Sequence, residues 1–378
     1  MMEFGIPKEV RDLESRVSVT PAGVGVLVDA GHSVYVERSA GSGAGFSDRA
    51  YTDAGAQLVY SAAELYGRSD VVVKVTRPTA AEHAHFRHRQ TIFSFLHLPV
   101  SSPDLARVLV EKQITAIAYE MIQENDGTMP VLLPMSEIAG RLAPIIAGQL
   151  LMTTNGGRGT LLSGIPGVPA AAVVIIGAGV LGCNAARGFL GAGSQVTLID
   201  TSMRKLQHAD QLLQGRVMTM VSTAYNIRRT TRFADVVLGA VLRPGRRAPV
   251  VVTRDMVANM RPGSVIVDYS IDQGGCVETS RPTTLRAPTY VEEGVIHYCV
   301  PNLTATVART TSHAMTNAAV PFLLAMEDFP DGLRNHPALA RGVNLYKGRM
   351  AHPLVAAALG VPVDPTLPDY LVQGGVEL

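Results

Sequence analysis

The stretch VVIIGAGVLGCNAARGFLGAGSQVTLID, residues 173–200, predicts the fold of the chain around it. An apolar, β-branched run leads into Gly177-x-Gly179-x-x-Gly182, an alanine-rich helix and a second strand that ends at Asp200. In this motif the first glycine allows a tight turn, the second lets the backbone approach a pyrophosphate, and the third permits close packing of the helix. The helix N-terminus then faces the anion. Strand, glycines, helix and acid in this order predict a dinucleotide-binding domain.

The acidic residue at the end of the second strand indicates which coenzyme is bound. Asp200 is placed to accept hydrogen bonds from the adenosine ribose, and its charge would repel a 2′-phosphate. This favours NAD over NADP. Arg204 and Lys205 follow closely and would attract a phosphate, so NADP stays open as the alternative.

Length and composition indicate a two-domain α/β protein. The 378 residues exceed the size at which one hydrophobic core keeps growing. With 33 Lys plus Arg against 32 Asp plus Glu, nothing in the charge favours a nucleic acid or an anionic membrane as partner. The longest apolar stretch is too short for a bilayer span, and the charged N-terminus is unlike a signal peptide. We therefore expect no membrane segment and no export.

The cysteines carry little chemistry in this sequence. Cys183, Cys276 and Cys299 are far apart and form no CxxC pair. This indicates neither a disulfide framework nor a zinc site, and it suits a reducing cytoplasm.

Alternating apolar strands and helices predict the elements of the first half. A helix should begin at Pro21 and stop near Gly31. An alternating strand is expected next, at residues 33–37. Continuously apolar runs at residues 70–75, 91–98 and 114–120 predict parallel strands that are covered on both faces.

A long helix is expected to lead into the second domain. It covers residues 134–152, with Ser136 at the N-cap position and with Pro144 kinking or splitting it. From about residue 172 the alternation of strands and helices repeats, and a helical stretch at about 304–325 would cross back to the first domain.

The predicted fold class is α/β, with two Rossmann-like doubly wound domains that have a cleft between them and are joined by long helices. The first domain would comprise residues 1–134, with 305–378 returning to it, and would bind substrate and carry out catalysis. The NAD-binding domain would comprise residues 135–304.

Three polar residues lie at or after the ends of apolar strands, where open α/β sheets place ligands: Lys74, His97 and Asp272. Each also has a purely structural interpretation. A lysine at a strand end is ordinarily solvated, a histidine within an apolar run ordinarily bonds to backbone, and Asp272 before a Gly-Gly pair would shape a turn.

These blocks together resemble the alanine dehydrogenase family, which also contains the NAD-binding part of proton-translocating transhydrogenase. The resemblance covers nearly the whole chain and includes GIPKEVRDLESRVSVTPAG, VKVTRP, FSFLHL, PMSEIAGRLA, VVIIGAGVLGCNAA, VDYSIDQGG and YCVPN. It implies a cytoplasmic, NAD-dependent oxidoreductase of amino-acid catabolism. The implied reaction is reversible oxidative deamination of L-alanine by NAD and water to pyruvate, ammonium and NADH, catalysed by a homohexamer.

The resemblance also implies roles for individual residues. Arg16 would bind the substrate carboxylate, and Lys74 would bind the carbonyl oxygen of pyruvate. His97 would be the acid/base group, and Asp272 would assist proton transfer to and from the amino and hydroxyl groups. Together with Gly177, Gly179 and Gly182, the implied coenzyme contacts are Ser136, Val180, Asp200, Lys205, Ser222, Val241, Leu242, Ile271, Arg281, Asn302 and Leu303.

The sequence departs from the family at two points. Family members with a divalent ion near the returning helix use a Glu and a His, whereas Ala325 and Phe329 stand at those positions, so we expect no metal. His313 replaces a frequent Tyr or Phe and is interpreted as structural.

Other functions compete with alanine oxidation. A transhydrogenase-like module would only hold NAD(H) for a partner domain, and a lysine- or saccharopine-type dehydrogenase would need a wider, more acidic pocket. A scaffold protein would have no need for the glycine motif together with Arg16, Lys74, His97 and Asp272.

Overall fold

A computed structural model describes residues 1–327 and 331–372 of the chain. Its strands are β1 Glu3–Ile6, β2 Ser33–Glu37, β3 Gln57–Val59, β4 Val71–Thr76, β5 Thr91–Phe95, β6 Thr115–Ala118, β7 Ala172–Ile176, β8 Gln195–Asp200, β9 Met218–Val221, β10 Val236–Gly239, β11 Val265–Asp268, β12 Thr289–Glu292, β13 Val295–Tyr298, β14 Val343–Tyr346 and β15 Arg349–Met350. Its helices are α1 Pro21–Asp29, α2 Asp48–Asp53, α3 Ala62–Arg68, α4 Pro103–Glu111, α5 Leu132–Leu150, α6 Val180–Gly191, α7 Met203–Leu212, α8 Ala224–Thr231, α9 Arg254–Ala258, α10 Ala308–Leu324, α11 Asp331–Asn335, α12 Pro337–Arg341 and α13 Pro353–Leu359. No helix in these two ranges is both long and apolar enough to span a bilayer.

The chain forms two compact units, each built on one sheet. Unit 1 comprises Met1–Met135, Pro244–Arg246 and the described residues from Thr304 onward. Unit 2 comprises Ser136–Arg243 and Arg247–Leu303. These units are defined by compactness alone, so the functional boundaries at 134/135 and 304/305 stay a prediction.

Both sheets have the doubly wound strand order. In unit 1 six parallel strands run β3-β2-β1-β4-β5-β6, and antiparallel β14 and β15 extend the sheet beyond β6. In unit 2 the parallel order is β9-β8-β7-β10-β11-β13, and antiparallel β12 covers the edge beyond β13. Counted along the chain, each parallel set reads 3-2-1-4-5-6, the Rossmann order. The prediction of an α/β fold with two doubly wound domains is confirmed.

The order of strands reverses at one point in each sheet, between β1 and β4 in unit 1 and between β7 and β10 in unit 2. Open α/β sheets bind ligands outside the carboxyl ends of the strands at this point. The loop after β1 carries Arg16, β4 carries Lys74, and β7 leads into Gly177. The topology therefore places predicted site residues of both units at a switch point.

The returning helix α10 packs against α1 within unit 1. The Thr20 N–H donates to the hydroxyl of Thr316 at 2.9 Å, and the Val17 N–H donates to Ser312 at 3.0 Å. A Cβ built on Gly23 would lie 2.4 Å from the methyl carbon of Thr316, so the two helices approach closely. His313 of the same helix contacts Phe46 edge-on, with ring centroids 5.1 Å apart.

Helix α5 differs from its prediction at its N-terminus. It begins at Leu132, so Ser136 lies inside the helix and the predicted N-cap is wrong. Pro134 is compatible with the earlier start, because the first four N–H groups of a helix have no acceptor within it. Pro144 does not split the helix, and its ring packs against Gly188 of α6, where an added Cβ would lie 3.0 Å away.

Several short elements were not predicted. Strand β9 has no buried residue, and β12 is half-exposed in alternation, so neither shows the apolar run used to find the other strands. The strand predicted over 91–98 ends at Phe95, and His97 follows it in a turn. Phe329, considered above as a metal position, lies outside the described residues.

Candidate active site

Lys74 is completely buried near the carboxyl end of β4. Its Nζ lies 2.7 Å from Oε1 of Glu82 and 3.2 Å from Oε2 of Glu9. Burial alone would lower the pKa of Lys74, but the two carboxylates raise it well above its ordinary value. The expectation that a lysine at a strand end is solvated is therefore wrong here, because tertiary contacts supply the counter-charges that burial requires.

Arg16 is also buried, in the loop that follows β1. Its Nε and Nη2 donate to the two carboxylate oxygens of Glu14 at 2.7 and 2.5 Å, and its Nη1 donates to the Thr304 hydroxyl at 2.8 Å. A guanidinium has five N–H donors, so one N–H on each terminal nitrogen is left for a further acceptor. This pre-orders the arginine for a second carboxylate.

His97 lies two residues beyond β5, in a left-handed backbone conformation with φ of 43°. Such a conformation is costly for a residue other than glycine, by about 1 to 3 kcal/mol. It is held by Glu120, whose carboxylate accepts the N–H of His97 at 2.6 Å and that of Leu96 at 3.2 Å. The imidazole Nδ1 lies 3.9 Å from the same carboxylate, and the ring stacks on Phe95.

Buried carboxylates beside the three basic residues are the part of the site that sequence reasoning missed. Glu9, Glu14, Glu82 and Glu120 are each the partner of Arg16, Lys74 or His97. Only Glu120 carried a usable signal, since it lies two residues beyond the apolar strand β6, just as His97 lies two residues beyond β5. Glu82 comes from a loop and has no local pattern that distinguishes it from a surface acid.

The three glycines of the Gly177-x-Gly179-x-x-Gly182 motif in unit 2 differ in their surroundings. Gly177 has φ of +115°, and a Cβ there would lie 2.3 Å from the carbonyl oxygen of Ala240. A Cβ on Gly182 would lie 1.8 Å from the carbonyl oxygen of Gly177. A Cβ on Gly179 would meet nothing within 4 Å. The first and third glycines are thus required by the fold, and the second faces open space at the N-terminus of α6.

Asp200 ends β8 beside this loop. Its Oδ2 accepts the N–H of Ala178 at 2.7 Å, and its Oδ1 accepts the N–H of Ser202 at 2.8 Å. Each oxygen has a second lone pair, so the carboxylate can anchor the glycine loop and still accept a hydroxyl.

All predicted coenzyme residues belong to unit 2. Most follow the carboxyl ends of its parallel strands, which share one edge of the sheet. The Ser222 N–H donates to the carbonyl of Asp200 at 2.9 Å, and the Val241 N–H donates to Ser270 at 3.0 Å. Leu242 and Val180 are exposed, while Ile271 and Leu303 are buried. Lys205 lies in the first turn of α7 and is capped by Ser202.

Ser136 lies in α5, which packs against α6. Gly140, one turn further along, packs so closely on α6 that an added Cβ would lie 2.5 Å from the carbonyl oxygen of Leu181.

Arg281 lies elsewhere. Its guanidinium stacks 3.8 Å over the Tyr290 ring and donates to Glu292 at 3.0 Å. Glu292 pairs in the sheet with Val295, the first residue of β13. The Arg281 side chain therefore extends toward the amino ends of the parallel strands, whereas the glycine loop lies at their carboxyl ends. The conformation in this structure does not bring Arg281 together with the other coenzyme candidates.

Asp272 lies in the short 3₁₀ helix Tyr269–Gln273 that follows β11. Its Oδ1 accepts the N–H of Asn302 at 3.2 Å, and Asn302 is itself left-handed with φ of 55°. The turn is organised by the buried Asp268, which accepts the N–H of Ser270 at 3.0 Å and that of Cys276 at 2.9 Å. The Asp272 carboxylate thus holds the backbone at Asn302, and it is also half-exposed to solvent.

Cysteine and metal chemistry have no visible place in the described part of the chain. Burial raises the pKa of all three thiols, Cys183, Cys276 and Cys299, which makes them poor nucleophiles. Within residues 1–327 and 331–372, no cluster of three His, Cys, Asp or Glu side chains could hold a metal ion.

Comparison with known proteins relates both units to one family. The profile described as "Alanine dehydrogenase/PNT, N-terminal domain" matches residues 5–139, and that described as "Alanine dehydrogenase/PNT, C-terminal domain" matches residues 143–353. Alanine dehydrogenase of Mycobacterium tuberculosis (strain CDC 1551 / Oshkosh) is 45% identical over 96% of this chain and 98% of its own length. Alanine dehydrogenase of Methanococcus maripaludis is 43% identical over the same shares.

Solved structures agree with these relatives. A structure of L-alanine dehydrogenase superimposes with a TM-score of 0.88 at 42% identity, covering 95% of this chain and 99% of its own. A transhydrogenase from Sinorhizobium meliloti superimposes with a TM-score of 0.76 at 26% identity, covering 93% of this chain and 99% of its own. The chain belongs to the alanine dehydrogenase/PNT family.

Proposed function

We propose that this chain is an NAD-dependent L-alanine dehydrogenase. The reaction takes L-alanine, NAD⁺ and water to pyruvate, ammonium, NADH and a proton, and it runs in both directions. The observation that carries the proposal is the set of basic side chains in unit 1: Arg16, Lys74 and His97 are each held by a glutamate. A module that only binds NAD(H) has no use for two buried cations in a separate unit, because burying charge is costly.

The surroundings of the glycine loop support NAD as the coenzyme. Gly179 leaves open space at the N-terminus of α6, where backbone N–H groups and the helix dipole favour a pyrophosphate. Asp200 has free lone pairs for a ribose diol and a charge that opposes a 2′-phosphate. We therefore assign the pyrophosphate to Gly177, Gly179 and Val180, and the ribose to Asp200. The remaining predicted coenzyme residues stay part of the proposal.

The substrate would be held by unit 1. The two remaining N–H groups of Arg16 suit the carboxylate of alanine or pyruvate, and the ammonium of Lys74 suits the carbonyl oxygen. When bound, NAD⁺ supplies a hydride acceptor for the hydrogen on the alanine Cα. His97 would take a proton from the attacking water, and Asp272 would transfer protons at the nitrogen as the iminium is hydrolysed to pyruvate and ammonium.

The test is turnover with a panel of amino acids. Purified protein is incubated with NAD⁺ or NADP⁺ and with L-alanine, L-lysine or saccharopine, and formation of the reduced coenzyme is followed. We expect L-alanine with NAD⁺ to exceed every other pair by at least about tenfold. Tight binding of NADH without turnover of any amino acid would favour the transhydrogenase-like module. Preference for lysine or saccharopine would favour a lysine- or saccharopine-type dehydrogenase.

The assembly and location are parts of the same proposal. We expect a homohexamer in the cytoplasm, and the three buried thiols suit a reducing compartment. Sedimentation velocity of the purified protein tests the hexamer, and a monomer or dimer at micromolar concentration would contradict it.

A further inference from the structure

We propose that Glu9 and Glu82 are positioning residues that hold Lys74 as an ammonium with a single free N–H, which restricts it to binding one oxygen of the substrate. The inference rests on the proposed function, because it takes the substrate oxygen to be that of a 2-keto acid or of its amine adduct.

The contacts of Lys74 leave one donor over. An ammonium has three N–H groups, and Glu82 and Glu9 accept two of them. No third acceptor for Nζ is found in the described part of the chain, although the side chain is fully buried. A buried donor without an acceptor is unfavourable, so a ligand oxygen at this place gains the full value of the hydrogen bond.

Glu9 cannot move freely to follow the lysine. Its Oε1 accepts the N–H of Val75 at 2.6 Å, and its Oε2 accepts the hydroxyl of Thr76 at 2.6 Å. Both donors belong to β4, the strand that carries Lys74. The carboxylate is therefore fixed to the same strand and defines where the ammonium lies relative to it.

Glu82 is anchored from other elements. Its Oε2 accepts the N–H of Thr79 at 2.7 Å and the Thr79 hydroxyl at 2.9 Å, while the Tyr66 hydroxyl of α3 donates to Oε1 at 3.4 Å. Burial alone would raise the pKa of Glu82, but the Lys74 ammonium and the Thr79 donors lower it below its ordinary value. The group facing Lys74 from this side is thus a fixed carboxylate.

The charges explain why the lysine acts as a donor and not as a nucleophile. The titratable groups that face Lys74 are Glu9, Glu82 and the Tyr66 phenol, whose own pKa burial raises. Two carboxylates keep the lysine protonated throughout the working range of an enzyme. A protonated amine cannot form a Schiff base with a keto acid, so the contact with the carbonyl oxygen stays a hydrogen bond.

The arrangement also divides the substrate between two cations. Arg16 retains one N–H on each terminal nitrogen, which matches the two oxygens of a carboxylate. Lys74 offers one N–H, which matches one carbonyl or hydroxyl oxygen. Arg16 and Lys74 together would bind a 2-oxo or 2-amino acid in a single orientation.

The test compares Glu82→Gln, Glu82→Asp and the matched control Glu64→Gln. The amide introduced by Glu82→Gln retains an acceptor for Thr79 and leaves Lys74 a one-to-one pair with Glu9, so the variant should fold. We expect kcat/KM for L-alanine to fall at least about tenfold while KM for NAD⁺ stays unchanged, because Lys74 loses one of the two carboxylates that position it. Glu82→Asp restores the charge and should recover part of this loss. Glu64 pairs with Arg68 on the surface, and Glu64→Gln should change neither quantity.

Two outcomes would overturn the inference. One is a Glu82→Gln enzyme whose kcat/KM for L-alanine is unchanged, and the other is a loss of kcat/KM that is as large in Glu82→Asp as in Glu82→Gln. Should Glu82→Gln not fold, Glu82→Asp alone carries the test, since a carboxylate set back by one methylene should lower kcat/KM without altering KM for NAD⁺.

A measurement without turnover separates this inference from the proposed function. In protein labelled with ¹³C at lysine Cε, the Lys74 signal is identified by its loss in Lys74→Arg. It should not titrate below about pH 11 in the wild type and should titrate lower in Glu82→Gln. If Lys74 titrates in the wild type as an ordinary lysine does, the inference that Glu9 and Glu82 hold it as an ammonium is overturned. The expected titration together with no alanine oxidation would show that only the proposed function has failed.

Discussion

The carboxylate of Asp200 accepts the N–H of Ala178 at 2.7 Å, which ties the end of β8 to the glycine loop after β7. One side chain thus fixes the loop that would receive the pyrophosphate and carries the charge that would select the ribose. Because Oδ1 and Oδ2 both accept backbone donors, the position of the carboxylate is set by the fold before any ligand arrives.

Replacing this carboxylate by an amide should relax coenzyme choice. Asp200→Asn keeps an oxygen for one backbone N–H but removes the charge that repels a 2′-phosphate. We expect the ratio of kcat/KM for NAD⁺ to that for NADP⁺ to fall about tenfold. The control is Asp210→Asn on the exposed side of α7, which should leave the ratio unchanged. A wild-type enzyme that prefers NADP⁺ would contradict the assignment of Asp200.

The contact between Gly182 and Gly177 predicts a stability effect. Gly182→Ala would place a methyl group 1.8 Å from a backbone oxygen that cannot turn aside, so β7 and α6 must separate. We expect the free energy of unfolding in urea to fall by about 2 kcal/mol or more. The same change at Gly191 of α6 meets nothing within 4 Å and should be neutral or stabilising by up to about 1 kcal/mol. Equal losses for both variants would show that helix propensity, not the close approach, controls the result.

Removing the imidazole of His97 should slow the chemical step. His97→Ala should lower kcat for L-alanine by about 10² to 10⁴ and leave the Kd of NADH unchanged, because His97 belongs to unit 1 and the glycine loop to unit 2. His88→Ala, at an exposed position in the same unit, serves as the control. Normal turnover by His97→Ala would return the residue to a structural role.

His352 predicts how unit 1 responds to acid. Burial lowers its pKa from 6.5 to about 4, and its Nδ1 accepts the N–H of Leu354. The unfolded chain therefore binds a proton at a higher pH than the folded chain does. The contribution of His352 to the free energy of unfolding is fully present above pH 6.5. It is lost as the pH decreases toward 4, by roughly 3 kcal/mol in total.

Urea unfolding between about pH 7 and pH 5 measures this effect. His352→Asn keeps an acceptor for Leu354 and removes the titration, so its stability should fall less steeply than that of the wild type. His88→Asn should follow the wild-type slope. Parallel slopes for all three proteins would contradict the assignment to His352.

What the sequence by itself determined is local. The glycine spacing predicts the turn and the close helix because φ and the missing Cβ are properties of single residues, and Gly177 and Gly182 meet those requirements. Unbroken apolar runs such as β7 predict parallel strands, because a strand covered on both faces has no polar side. The same reasoning placed Lys74 and Asp272 correctly near strand ends.

The tertiary structure alone decided how the charges are held. Lys74 meets Glu9 from 65 residues away in the chain, and Arg16 meets Thr304 from 288 residues away. No local pattern distinguishes these partners from surface residues, since burial and counter-charge arise only when distant loops converge on one sheet edge. The start of α5 before Ser136 and the stacking of Arg281 on Tyr290 were not predicted for the same reason, since packing against neighbouring elements has no local signal in the sequence.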